Sequence, residues 1–445
     1  MKHYHTLLSR FFVILLVCAM LCGSLKISAL AEEDAENTAS EAAEESSDES
    51  DAPDVDYTTG TPWIDSELDG NVTEDTPVSL KDDFMLYVNK EAILATEIPE
   101  GYNYGGTMTD VSVKLADDIK NMFLGDEPES HDAKLAYYLY QLLMDWDTRN
   151  ELGVEPLKEA TDKVEAIGSI GELTEYFLET PFEEIISPLW GAGHTTDLSD
   201  STRYVLAATS PGLLLGDSAE YSTLTEYGAI LKEAKSELAK KMLEKLGYSE
   251  EEALAKIENC FAFETLVAPV IFTNEEQKSA DYFSRILNYY TKDEFSELLG
   301  DLPVIGVLEK IGFPVDGDYI VMCPDYFESL REMYTDENLP LFRDYMIVHE
   351  VISKAGLLDR ECYEWNNECT NATSGSTGML DDETAMSSFV AETLEWPVAQ
   401  LYTERYLSAE DKERILEVMD EILLVYHEIL EEAEFLSPET KEKAL

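Results

Sequence analysis

Apolar positions recur at helical spacing through most of the chain. Leu135, Tyr138, Leu139, Leu142 and Trp146 share one helical face, and Ile415, Val418, Met419, Ile422, Tyr426 and Ile429 mark a longer helix. Start signals agree with this periodicity. Ser249 is followed by Glu252 and Ser408 by Asp411, so in each a hydroxyl and a first-turn carboxylate can satisfy the free backbone N–H groups of a helix start. Two stretches interrupt the pattern. Arg203-Tyr204-Val205-Leu206 runs into Ser210-Pro211-Gly212, a short strand and a turn, and Tyr363 to Thr384 reads as a polar loop. The expected fold is mainly α: a multi-helix lobe with a small β-hairpin, and no internal repeat.

The first 80 residues follow different rules. Lys2 and Arg10 precede the apolar run Phe11 to Leu21, and Ala29-Leu30-Ala31 supplies small residues for a peptidase, which predicts a signal peptide over 1–31 cleaved after Ala31. The run is shorter than the roughly 20 residues a spanning helix needs, so no stable membrane span is expected. Cys18 and Cys22 lack a preceding small residue, which argues against lipidation. Residues 32–79 form an acidic linker expected to be disordered: Glu32 to Leu80 holds 17 acids and no Lys or Arg. Residues 80–445 then form the folded domain.

The whole chain has 31 Lys+Arg, 93 Asp+Glu and a net charge of −62, and residues 81–445 alone carry −48. A surface so negative repels phosphate backbones and anionic lipid, which excludes nucleic acid as a partner.

The exported chain carries Cys260, Cys323, Cys362 and Cys369. Cys362 and Cys369 flank a short polar segment and are the candidate disulfide in a compartment where disulfides persist. Cys260 sits in an apolar helical pattern and reads as a small buried hydrophobe. Without a C-x-x-C pair, the cysteines do not read as a zinc site.

His349-Glu350 begins like the zinc-binding H-E-x-x-H of peptidase helices, but the sequence continues Val351-Ile352-Ser353, so serine stands where the second imidazole is needed. His349 reads as an ordinary residue of a helix from Leu341 to Lys354. Asp145 to Asn150 fails as a calcium loop, Gly375 to Gly378 as a nucleophile elbow and Gly101 to Gly106 as a phosphate cradle. The residues alone define no catalytic or metal site.

Several segments do carry a resemblance. Asp82-Asp83-Phe84-Met85-Leu86-Tyr87-Val88-Asn89, Glu97-Ile98-Pro99 and Tyr104-Gly105 resemble the opening of the neprilysin-like zinc metallopeptidases, the family of endothelin-converting enzymes and bacterial oligopeptidases. Ser210 to Asp217, Leu246 to Ala253, Gln400 to Tyr406 and Leu436 to Leu445 resemble later parts of that family in the same order. The resemblance implies a secreted zinc endopeptidase of two helical lobes around a cavity, of which residues 80–445 correspond to the N-terminal, cavity-capping part.

It further implies that H-E-x-x-H, the third glutamate ligand and the substrate-pairing strand lie beyond Leu445. Ser437-Pro438-Glu439-Thr440 is a helix start only about two turns from that point. No cofactor is then expected in this chain, zinc is expected only with the catalytic half, and that half, separately encoded, is the implied partner alongside peptides. The 445 residues alone are expected not to catalyse. Aligned on Tyr104-Gly105, the positions where the family places two arginines and an aspartate for the substrate carboxylate hold Asn103, Met108 and Val111, none able to form the charge-assisted pair. The alternative is a non-catalytic extracytoplasmic module that binds peptides or proteins.

Overall fold

The computed structural model describes residues 72–197, 199–376 and 378–444. The signal peptide and nearly all of the acidic linker lie outside these residues. The described chain is mainly helical. It begins with α1 (Phe84–Ala95), α2 (Thr107–Phe123) and α3 (His131–Met144), continues through α4 (Trp146–Leu152), α5 (Glu155–Glu165) and α6 (Ile170–Glu179), and enters a hairpin of β1 (Gly191–Asp197) and β2 (Asp200–Thr209). Two long helices follow, α7 (Glu226–Leu246) and α8 (Glu250–Val267). Short elements come next: α9 (Tyr282–Ile286), β3 (Tyr289–Tyr290), α10 (Lys292–Leu299), α11 (Val304–Lys310), β4 (Tyr319–Val321) and α12 (Pro324–Met333). The chain then runs through α13 (Leu339–Lys354), α14 (Arg360–Ser374), α15 (Asp382–Thr393), α16 (Glu395–Tyr406), α17 (Ala409–Glu432) and α18 (Pro438–Ala444).

Local chemistry sets the helix boundaries. Ser249 and Ser408 each form the reciprocal capping box expected of them, and Thr291 with Glu294 forms another at α10. Gly247 ends α7 in the left-handed region at φ 108°, where a side chain would strain the backbone, and its N–H reaches back to the Glu244 carbonyl.

The hairpin belongs to a larger sheet of order β1-β2-β4-β3. β1 and β2 are antiparallel, β2 and β4 run parallel with Leu206 opposite Tyr319, and β3 closes the edge antiparallel to β4. Strands of two and three residues are too short to show an alternating pattern. The turn between β1 and β2 falls at Asp197–Asp200, and Ser210-Pro211-Gly212 instead starts the loop toward the 3₁₀ turn Ser218–Tyr221.

The polar stretch read as a loop from Tyr363 to Thr384 is corrected: most of it is helix α14. Its Asn and Thr side chains hydrogen-bond the helix's own carbonyls, Asn367 to Tyr363 (2.9 Å), Thr370 to Asn366 (3.0 Å) and Thr373 to Cys369 (3.0 Å), so polar residues sit there without breaking it. The Cys362–Cys369 disulfide is corrected with it. Both residues lie on α14 seven positions apart, about 10.5 Å along the axis at 1.5 Å per residue, beyond the roughly 7 Å Cα limit of a disulfide. Both thiols are free, and burial pushes that of Cys362 up to about 12.

Buried residues form two clusters. The larger extends from Leu157 to Cys362 and encloses the sheet, α7, α8 and α13. The smaller joins Met122 and Phe123 of α2, Ala136, Tyr140 and Leu143 of α3, Tyr363 of α14, Met386 and Val390 of α15 and Val398 of α16. On α3 the inward face is therefore not the expected one: Leu135, Tyr138 and Leu142 are exposed while small alanines admit the neighbouring helices. Arg149 joins the clusters. Buried in α4, it donates to the carbonyls of Leu358 (2.9 Å), Leu143 (2.6 Å) and Gly356 (3.1 Å), with its guanidinium over the Trp146 ring.

Candidate functional site

Three sets of residues are candidates for a functional site: the α2 entrance, the α17 face, and a buried cluster between α8 and α13. Asn103, Met108 and Val111 lie together at the start of α2. Asn103 donates its amide to the Ser374 carbonyl (3.3 Å), while Met108 and Val111 project outward, 73% and 56% exposed. α2 begins at Gly106 without a side-chain cap, and Thr109 turns inward to the Tyr104 carbonyl (3.3 Å). None of these three side chains is a cation that could pair with a carboxylate, and the exposed Asp110 of the same turn adds a negative charge between Met108 and Val111.

α17 forms as the apolar periodicity predicts, yet none of its 24 residues is buried. Ile415, Val418, Ile422, Tyr426 and Ile429 stand exposed along it. Phe84, Met85 and Val88 of α1 are likewise exposed. Apolar positions repeated on one face without cover are the mark of a surface that meets another body.

The buried cluster joins a local pair on α8 to a histidine that packing brings in from α13. Cys260 and Glu264 stand one turn apart on α8, so their side chains share a face, and His349 projects from α13 toward them. Their donor atoms all lie within 4.8 Å of one another. Glu264 is fully buried and accepts from His349 Nε2 (2.8 Å), the Leu214 N–H (2.9 Å) and the Tyr221 hydroxyl (2.5 Å). Cys260 is also fully buried, and its thiol makes no hydrogen bond among the described residues. Burial first, and then the Glu264 charge, push the Cys260 thiol well above its ordinary value, and the same two causes raise Tyr221. The Tyr345 ring lies beside His349, tilted by 38° with ring centroids 4.1 Å apart.

Cys260 is thus buried, as its apolar surroundings predict, and His349 is a helix residue. What the sequence left out is their meeting through Glu264; the four-residue spacing of Cys260 and Glu264 was the available signal.

Where H-E-x-x-H would place its second histidine, α13 carries Ser353. His349 Nε2 is engaged by Glu264, Glu350 accepts from Ser187 (3.0 Å), and Ser353, one turn on, bonds the Glu350 carbonyl (3.1 Å). The remaining described histidines, His131, His194 and His427, sit on α3, β1 and α17.

Comparison with known proteins places this fold. The N-terminal model of peptidase family M13 matches residues 80–445. The chain belongs to that family, the neprilysin-like metallopeptidases. A neutral endopeptidase of Lactobacillus helveticus is 23% identical over 390 residues, covering 84% of this chain and 58% of its own length. Among solved structures, PepO of Lactobacillus rhamnosis HN001 superposes with a TM-score of 0.73 at 21% identity, covering 83% of this chain and 58% of that one. Zinc metalloprotease Zmp1 of Mycobacterium tuberculosis, solved with an inhibitor, gives 0.69 at 19%, covering 83% and 56%. These two likenesses establish the fold. The chain spans 58% to 65% of the length of the first curated relatives it matches.

Proposed function

We propose that residues 80–445 are the cavity-capping, N-terminal part of a secreted neprilysin-like zinc metalloendopeptidase that acts in peptide proteolysis. The observation that carries this reading is the match to the family's N-terminal model in a sequence without H-E-x-x-H. In this reading the catalytic zinc belongs to a C-terminal half, and the exposed faces of α1 and α17 are surfaces that half covers. Export rests on the signal-like residues 1–31; among the described residues no helix is long and apolar enough to cross a membrane.

The exposed, uncharged positions Asn103, Met108 and Val111 support a substrate site that does not grip a terminal carboxylate, so peptides are held by other contacts. The same feature favours the second reading, a displayed module that binds peptides without cleaving them. A quenched fluorescent peptide separates the possibilities. The purified 445 residues are expected to leave it intact, and to support cleavage once combined with a polypeptide that carries the family's H-E-x-x-H half. Chelator-sensitive cleavage by the 445 residues alone would refute the assignment. Peptide binding without any gain of cleavage in the combined sample would support the module.

A further inference from the structure

Cys260, Glu264 and His349 present sulfur, oxygen and nitrogen donors at one buried point where α8 meets α13. We propose that these three side chains bind a single Zn²⁺ ion through thiolate, carboxylate and imidazole.

The geometry is close to what the ion requires. Zinc bonds of about 2.3 Å to sulfur and about 2.0–2.2 Å to nitrogen and oxygen put neighbouring donors roughly 3.3–3.6 Å apart in a tetrahedral site. The donors here span from the 2.8 Å Glu264–His349 contact up to no more than 4.8 Å. Opening the short contact and closing the longest by about an ångström needs rotamer adjustment, not backbone movement. Three protein donors leave one position for water.

The chemistry agrees with the geometry. Thiolate and carboxylate carry two negative charges and neutral imidazole none, so Zn²⁺ brings the buried site to neutrality, whereas a thiolate beside Glu264 without a cation would leave two adjacent buried anions. On binding, the Cys260 S–H bond breaks, its proton leaves to solvent and a Zn–S bond forms; nothing is oxidised or reduced. The mixed S/N/O set suits zinc rather than the oxygen-seeking magnesium or calcium. An outer layer is already in place, since the Tyr221 hydroxyl and the Leu214 N–H hold the Glu264 carboxylate in orientation.

Two observations accompany the clustering. The Cys260 thiol is fully buried and has no hydrogen-bond partner among the described residues, although its sulfur lies within 4.8 Å of a Glu264 oxygen and a His349 nitrogen. His349, by contrast, keeps 18% of its side chain exposed, which gives the ion a route to an otherwise closed site.

The test uses the full chain. After chelator stripping and gel filtration, the protein is incubated with Zn²⁺, desalted and analysed for metal by native mass spectrometry. One zinc per chain is expected, with a raised melting temperature. Cys260→Ala and His349→Gln should each weaken zinc binding by more than about 100-fold, beyond the loss typical of outer-layer changes, while His427→Asn on exposed α17 should bind normally. In the unsubstituted chain, Co²⁺ should give a thiolate-to-metal absorption band, a readout that does not depend on how well the variants fold, and folded Cys260→Ala should lack it. Folded protein that retains no zinc above the Cys260→Ala background, or a cobalt spectrum without the band, would overturn the proposal. Neither result bears on peptidase family membership or on peptide cleavage.

Discussion

Replacing Arg149 by alanine removes a side chain that bonds both buried clusters, and the cost follows from what it leaves behind. The carbonyls of Leu143, Gly356 and Leu358 lose their donor together. Hydrogen bonds to a charged donor contribute about 1.5–3 kcal/mol each, and buried acceptors left unpaired cost about 1–3. These do not add, because water enters the vacated volume and reaches some of the carbonyls. The stacked contact with Trp146 adds about 1 kcal/mol. One term opposes the loss: burial and then the neighbouring Arg360 lower the pKa of Arg149, so its removal relieves desolvation and like-charge repulsion. The net destabilisation should be about 3–4 kcal/mol.

The loss should also be uneven. Hydrogen exchange by mass spectrometry, alongside urea unfolding, should show faster exchange in α2, α3, α15 and α16 and retained protection in α7, α8 and α13. Arg149→Lys keeps the charge but cannot reach three carbonyls with one fork, so it should recover less than half of the lost stability. A stability change under about 1 kcal/mol, or equal loss of protection in both clusters, would refute the claim that Arg149 couples them.

Three further outcomes are expected. Asp197 is held below the usual carboxylate range, first by the Tyr289 hydroxyl and also by Ser199 and Arg203, although burial opposes this. Because its folded pKa is depressed, its contribution is full above the unfolded value near 3.9 and is lost as pH falls through the folded value. Asp197→Asn should therefore melt lower than the unsubstituted chain at pH 7 and show a flatter fall in melting temperature below about pH 4, and superimposable slopes would count against this. Ser249→Ala should lower global stability by about 1 kcal/mol by urea unfolding, whereas Ser408→Ala, with the same capping box on a helix that buries nothing, should leave the main transition unchanged. Ile422→Asp on α17 should likewise leave the melting temperature of the isolated chain within a degree or two, since about 0.5 kcal/mol is the usual limit for an exposed position, while weakening association with an H-E-x-x-H half.

How much of this was legible varies with the range of the interaction that fixes it. The capping boxes at Ser249 and Ser408 were readable because the interacting groups are three residues apart. α14 was not, because the polar residues that signal a loop elsewhere bond here to their own helix. The parallel pairing of Leu206 with Tyr319 joins strands more than a hundred residues apart and leaves no periodic trace in three residues. The buried Cys260-Glu264-His349 cluster divides the same way. The pair on α8 is a local spacing, while the histidine arrives 85 positions later on another helix. Family membership was readable from scattered segments in order, which depend on no single contact.

The smaller cluster has a consequence for the order in which the chain acquires structure. Its first half lies at residues 122–143 and its second at 363–398, and the whole larger core falls between them. A chain that emerges from its N-terminus presents α2 and α3 more than two hundred residues before their partners. The inner core can condense as soon as α13 and the start of α14 are present, whereas α2 and α3 must wait with Phe123 and Tyr140 uncovered. Closing the long loop late makes the outer cluster the slow step of folding.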